Sequence, residues 1–544
     1  MKRIGLWAGP LLFVAALFYW PLANILGIGF SGEWLATYLE PQTLSAIWFT
    51  FWQAIVSTAI CLLIGIPGAY VLYRKRFAGQ KFWRALITVP LVLPSIVVAI
   101  IFASFRSEHQ IYQDLGLGFF YENSIYWIIG AHVFINFSLI VRSVGGVWAN
   151  MDNETEEAAE LAGAGRLRTL ISITLPQLRP ALVSASALVF LFCFSSYGIV
   201  LILGGGLVHS IETEIATAAL QFLDVQKASA LAILQTVFTV IAFSIAESIS
   251  KKPIGIAQVD ESTHQPALDR RDWLATSITA AVVIGLVAIP LALVLAKAFT
   301  VNGSFGFENF ANLAGRGDRD LLNISVLQAT LNTLRNVAIS ATLSVAIGGA
   351  VSYLLTRNRK TRRARVSNRV LDILFLMPVG ISSVVLGFGY LVTFGSGILP
   401  IRSSWLVVPL VQALMATPLV VRIIYPALAS IGSDHREAAA LAGAGSSQTW
   451  WHIEVGIIRN VIMTAIGFAV VASIGEFGAA SLLAYGDQAT LPTVLYALIS
   501  RPGSTNYGMA MAVTAILILL TFALVSAVTF RKKPKRHSSR SVLS

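Results

Sequence analysis

Glu157-Ala158-Ala159-Glu160-Leu161-Ala162-Gly163-Ala164-Gly165 recurs as Glu437-Ala438-Ala439-Ala440-Leu441-Ala442-Gly443-Ala444-Gly445, 280 positions further along the chain. Each copy is a polar island between long apolar runs. Lipid solvation gives no reason for such an island, still less for two with one spacing. Two equivalent docking points for a soluble partner with two equivalent faces account for both. The stretch is rich in Ala and Leu, which favours helix, and Asp434 with Glu437 three residues later fits a capping-type start. The paired alanines let another surface approach closely. The Gly-Ala-Gly that follows turns the chain without a side-chain penalty. Helix, turn and second helix make a compact knob; an ordinary amphipathic loop helix is the plainer alternative for either copy alone.

The rest of the chain is apolar. Hydrophobic residues make up 56% and charged residues 12%, against about 25% charged in soluble domains, so this is a membrane protein. A spanning helix needs about 20 apolar residues. Twelve runs qualify: 5–30, 45–73, 85–105, 124–146, 180–204, 228–249, 274–299, 332–356, 370–396, 405–428, 458–485 and 507–530. The stretch from Leu6 to Phe30 exceeds a signal-peptide core of about 7–15 residues and reads as a retained span. Pro90, Pro94 and Pro378 predict kinks, because proline removes a backbone donor. The net charge of +12 sits in short basic segments: five Lys or Arg in 74–84, seven in 357–369 and six in 531–544. That clustering follows a positive-inside bias, not a nucleic-acid surface. With twelve spans and a cytoplasmic N-terminus, the basic segments, both knobs and the C-terminus all fall in the cytoplasm. Cys61 and Cys193 lie inside apolar runs, where a thiol is a small buried apolar group. They offer neither a disulfide framework nor a metal site.

The two halves correspond beyond the knobs. Thr50, Ser57, Gly65, Tyr70 and Arg74 align with Thr333, Ser340, Gly348, Tyr353 and Arg357 at an offset of 283. Arg142 aligns with Arg422, and Gly198 with Gly478, at 280. Six spans per half make the repeat parallel, with its axis along the membrane normal. The predicted organisation is a first half at 1–250 with its knob near 153–176, and a cytoplasmic linker at 251–272. A second half follows at 273–530 with its knob near 433–456, then a basic tail at 531–544.

The knob pattern resembles the EAA loop of ABC importer permeases, EAA-x3-G-x9-I-x-L-P. The first copy matches through Ile173 and Leu175-Pro176; the second keeps Ile453 but has Val455-Gly456 where Leu-Pro is expected, so its exit is expected to differ. The resemblance covers nearly the whole chain as two fused permease halves. It implies an all-α membrane fold of type I importer architecture, in a prokaryotic inner membrane. It implies that Glu157, Ala158, Ala159 and Gly163, with Glu437, Ala438, Ala439 and Gly443, dock into two copies of an ATPase subunit. An extracytoplasmic binding protein would deliver the substrate. No G-x4-G-K-[ST] phosphate loop exists in the chain, so ATP and Mg are expected on the partner subunits. No cofactor or metal is expected here, and the chain is not expected to be an enzyme.

Glu476 stands inside an apolar run, in Ser473-Ile474-Gly475-Glu476-Phe477-Gly478, opposite Ser195-Ser196-Tyr197-Gly198 of the first half. An acid at membrane depth is costly unless paired or wet and marks function by default; the alternative is a structural ion pair with Arg335 or Arg422. Together with Asn136 these residues (Glu476, Phe477, Ser195, Ser196, Tyr197) are the expected substrate pathway. His132 reads as a buried hydrogen-bonding group or, less economically, a ligand. The loop from Gly204 to Glu214 is expected to face outward, either contacting the delivery protein or forming a flexible hairpin. Phe51-Trp52-Gln53-Ala54, Ala131-His132-Val133-Phe134 and the block from Phe192 to Gly206 resemble thiamine importer permeases, with ferric-iron importer permeases as the alternative. A Gly-Glu-Phe-Gly element also resembles one in permeases for anions. A secondary transporter driven by an ion gradient would explain the repeats and Glu476 but not two matched knobs. A channel lacks a repeated charged filter.

Overall fold

The computed structural model describes residues 2–31, 34–107, 113–114, 122–151, 154–249, 265–301, 303–357, 370–395 and 404–530. Apart from one antiparallel pairing of Thr300–Val301 with Ser304–Phe305 and a single parallel bridge between Arg76 and Ala267, the elements of the described chain are helical. The first half runs through α1 (Trp7–Gly29), α2 (Pro41–Arg74), the pair α3 (Gln80–Val92) and α4 (Ser95–Arg106), then α5 (Ser124–Ala149). The knob helix α6 (Glu154–Leu161) precedes α7 (Arg166–Phe194), the short α8 (Gly198–Leu203) and α9 (Ile211–Leu220), and α10 (Val225–Ile245). The second half repeats this order. It comprises α11 (Arg270–Ala298), α12 (Val326–Arg357), α13 (Ser383–Gly395), α14 (Val407–Ala429), the knob helix α15 (Ser433–Leu441), α16 (Thr449–Ile474), α17 (Gly478–Leu483), α18 (Leu491–Ile499) and α19 (Ser504–Ala523). Of the expected linker at 251–272, residues 251–264 lie outside the described residues, as does the basic tail, and Pro266 to Leu268 pair with Arg76.

Ten described helices are long and apolar enough to cross a membrane, eleven with α3 and α4 taken as one broken span bent by 104°. The bend falls at Leu93-Pro94, where Pro90 and Pro94 withdraw backbone donors. The run predicted at 370–396 is not one long helix. A 3-10 turn at Met377–Gly380 interrupts it, leaving α13 with 13 residues. The runs at 180–204 and 458–485 also break, after Phe194 and Ile474, and restart as α8 and α17.

Each half is built on a three-helix core, α2, α5 and α7 in the first and α12, α14 and α16 in the second. Small residues permit the close approach. A Cβ on Gly65 of α2 would come within 2.6 Å of Ile140 of α5, and one on Gly348 of α12 within 2.7 Å of Val420 of α14. The four residues are repeat mates, so one contact is built twice. The halves interlock: α1 packs on α13 of the second half, α11 packs on α2 to α5 of the first, and α19 packs on α3. The C-terminal turn of α2 and the turns entering α7 and α16 are π-helical, at Tyr70–Arg74, Leu170–Thr174 and Thr449–Glu454. The exit from the second knob therefore follows the same course as the first, although Val455-Gly456 replaces Leu-Pro.

Candidate functional site

The two knobs sit beside the ends of α2 and α12 that carry Arg74 and Arg357. Glu157 and Ala158 are exposed on α6, as are Glu437 and Ala438 on α15, while Ala159 is half-buried and Ala439 buried. Both helices stop at a glycine of positive φ, Gly163 at 84° and Gly443 at 79°. The amides of Ala164 and Ala444 reach back to the carbonyls of Ala159 and Ala439 at 2.9 Å in each knob, the 6→1 bond of a Schellman cap. A side chain at Gly163 or Gly443 would meet no neighbour but would be strained by that φ. At the tips, Leu161 is 91% exposed and Leu441 90%.

At the centre, the halves meet through a second set of repeat mates. Tyr197 and Phe477 stack with ring centroids 5.5 Å apart and planes inclined by 22°. Tyr496 adds a third ring, 5.8 Å from Phe477. These rings, with Leu201, Thr217 and Gln221 of the first half and Ser481 and Thr493 of the second, wall a cavity of about 130 Å³. The elements around it are fixed by paired caps. The Thr50 hydroxyl of α2 accepts the Ile211 amide at 3.1 Å, and its mate Thr333 of α12 accepts the Leu491 amide at 2.8 Å. Ser210 with Thr213, and Thr490 with Thr493, close matching capping boxes at the starts of α9 and α18.

Of the expected pathway residues, Tyr197 and Phe477 face this cavity; the others are engaged elsewhere. Ser196 pairs with His132 at 2.6 Å inside the first half. Asn136 donates to the His132 carbonyl at 3.0 Å and lies 3.4 Å from the Cys193 sulfur. The Ser195 amide closes the last turn of α7 onto Leu191. Glu476 is 7% exposed, and its carboxylate accepts the amides of Ala479 at 2.7 Å and Ala480 at 3.2 Å, the first turn of α17. The alternative, an ion pair with Arg335 or Arg422, is not formed among the described residues. Arg335 donates to Gln488 at 2.9 Å and lies over the Trp405 ring, and Arg422 lies over Phe243.

The loop expected to face outward is shorter than the sequence suggested. Gly205, Gly206 and Leu207 are exposed, but Glu212 and Glu214 are buried in α9. Glu212 accepts from Gln235 at 3.2 Å, and Glu214 from Gln42 at 3.0 Å with His209 3.2 Å away. Sequence reading missed Tyr496, Ser481, Thr493, Thr217 and Gln221. The Ser210-x2-Thr213 and Thr490-x2-Thr493 boxes share the 280 offset and carried a signal for Thr493; the other four have unlike residues at the mate positions.

Residues 61–254 and 347–533 match the family described as binding-protein-dependent transport system inner membrane component. The chain belongs to this family of ABC importer permeases. It is 27% identical over 512 residues to the thiamine transport system permease protein of Escherichia coli (strain K12), spanning 93% of this chain and 92% of that one. It is 28% identical to the thiamine transport system permease protein of Brucella abortus (strain 2308), over 88% and 86% of the two chains. A shorter relative, the sulfate transport system permease protein of Escherichia coli (strain K12), is 32% identical over 232 residues, 41% of this chain and 83% of its own. Membership makes the chain a multi-pass bacterial inner-membrane permease subunit, without cofactor or catalysis of its own, that works with an ATPase and a substrate-binding protein. That sets aside the gradient-driven and channel readings.

Proposed function

We propose that the chain is the permease of a thiamine importer. Two ATPase copies grip α6 and α15 at Glu157 to Gly163 and Glu437 to Gly443. The basic segments and both termini face the cytoplasm, and a binding protein delivers thiamine on the other side. ATP draws the ATPase copies together, the knobs follow, and the halves rock about the central cavity. Tyr197 and Phe477 act as the gate. Glu476 serves as the cap of α17 and holds Phe477 in place without reading the cargo.

The observation that carries the choice of thiamine is similarity along almost the full chain to thiamine permeases from separate bacteria. The three-ring wall of the cavity fits that choice, because thiamine pairs a cationic thiazolium with an aromatic pyrimidine, and aromatic faces attract both. The test is uptake into proteoliposomes holding the permease, its ATPase and its binding protein. ATP-dependent thiamine accumulation is expected. Ferric-iron accumulation with no thiamine uptake would overturn the substrate and favour the ferric-iron alternative.

A further inference from the structure

The strongest unexplained feature of the molecule is a pair of ionic clasps at the knobs, built from the same three positions with the charges rearranged. In the first half, Arg74 at the end of α2 donates through Nη2 to Glu156 of α6 at 2.8 Å. The other Glu156 oxygen accepts from Thr174, the last residue of the π turn in α7, at 2.7 Å. In the second half, Arg357 is the mate of Arg74, and Arg436 and Glu454 are the mates of Glu156 and Thr174. Arg357 donates to Glu454 at 2.8 and 2.7 Å, and the Nε of Arg436 also donates to Glu454. The carboxylate thus comes from the knob helix in one half and from the spanning helix in the other.

Both clasps are sheltered. The side chains of Arg74 and Glu454 are 5% and 1% exposed, and those of Glu156, Arg357 and Arg436 lie between 22% and 25%. Arg74 is held further by the carbonyls of Trp148 and Met151, at 3.2 and 2.8 Å. Each clasp therefore joins three elements: the knob helix, the end of the first core helix and the start of the third. Removing one member of such a buried pair strands the other without solvent and is strongly unfavourable.

We infer that Arg74, Glu156 and Thr174, and Arg357, Arg436 and Glu454, are positioning residues that make each knob move as one body with its half, and that the two clasps are interchangeable in polarity. This rests on the importer assignment, since only there does knob movement have a consequence. Neighbouring Glu157 and Glu437 and the tip leucines Leu161 and Leu441 are exposed on the knobs, whereas the clasp side chains lie behind them, between 1% and 25% exposed.

The test exchanges the designs, using the full complex in proteoliposomes and reading ATP hydrolysed per thiamine imported. Glu156→Arg sets two guanidinium groups against each other and is expected to raise that ratio about tenfold or more, the consequence of stranding a buried charge. Adding Thr174→Glu recreates the second-half clasp and should return the ratio to the parent value. Reciprocally, Arg436→Glu should uncouple, and Arg436→Glu with Glu454→Thr should recouple as a first-half clasp. Co-purification of the ATPase reports assembly. Single variants that lose purified complex in proportion to uptake, at an unchanged ratio, would overturn the inference by showing a merely structural role. Paired variants no better coupled than the single ones would also overturn it, as would single variants indistinguishable from the parent. A parent complex that hydrolyses ATP without importing would overturn the importer reading and the clasp's role with it. An active parent whose paired swaps stay uncoupled overturns the clasp alone.

Discussion

Replacing Glu476 separates a structural acid from a cargo-binding one. Its carboxylate receives two buried amides, from Ala479 and Ala480. Glu476→Ala orphans both, and each unsatisfied buried donor costs about 1–3 kcal/mol, so the loss is about 2–6 kcal/mol. Glu476→Gln keeps one acceptor oxygen in place and removes the charge that favours a helix N-terminus, so the loss is about 1–3 kcal/mol. Glu476→Ser installs the residue found at the mate position, Ser196, and its single short hydroxyl should place it between the two. The assay is the fraction of monodisperse detergent-solubilised protein after heating, alongside thiamine uptake kinetics. Thermal tolerance should fall in the order parent, Gln, Ser, Ala. Uptake per folded molecule should keep the parent KM in the Gln variant. A Gln variant as heat-stable as the parent but with KM raised about tenfold, or about 1.4 kcal/mol of lost binding, would show that the carboxylate reads the cargo and would refute the capping argument.

Phe477→Ala should leave a gate that no longer seals, seen as thiamine efflux from loaded proteoliposomes without ATP, whereas Phe477→Tyr, which copies Tyr197, should retain the seal; the lost ring pair is worth about 0.5–1.5 kcal/mol beyond its buried area. Leu161→Asp combined with Leu441→Asp should abolish co-purification of the ATPase, whereas either alone should leave the contact at the other knob. Because both leucines are about 90% exposed, the isolated permease should change in stability by no more than about 0.5 kcal/mol. Gly65→Val and Gly348→Val should each destabilise by about 1–3 kcal/mol through overpacking, read as a lower detergent melting temperature. Gly285→Ala, where a Cβ meets nothing within 4 Å, is the control that should not.

The knobs were legible because polarity, helix propensity and turn chemistry agreed at Glu157 to Gly165 and again at Glu437 to Gly445. The spans were legible for the same reason, except where hydropathy is blind. It sees side chains and not backbone, so the breaks after Phe194 and Ile474 were hidden inside runs that stay apolar. Glu212 and Glu214 misled in the opposite sense. Their charge suggested a loop, but Gln235 and Gln42 satisfy them inside the protein. The clasps were invisible to alignment by identity, because Glu156 faces Arg436 and Thr174 faces Glu454. Only the three-dimensional grouping shows that these mismatches compensate.

That contrast explains which features of the repeat are kept and which drift. The Thr50 and Thr333 hydroxyls each accept one particular amide, and Ser210 and Thr490 each close one particular turn. A cap is directional: the acceptor must stand where the helix begins, and exchanging donor with acceptor abolishes it. An ion pair has no such polarity. The attraction depends on the product of the charges and their separation, so a carboxylate and a guanidinium can trade sides while the elements stay joined. The second clasp exploits this with one carboxylate shared between two guanidinium groups, which leaves that clasp with a net positive charge that the first clasp lacks. The two docking sites are therefore alike in backbone and unlike in where their charges sit. An ATPase surface that engages both must tolerate the difference. Adding salt should weaken the two contacts unequally, and ATPase binding to complexes carrying Leu161→Asp or Leu441→Asp alone measures each contact separately. Equal salt dependence of the two would show that the clasp charges are fully screened from the partner.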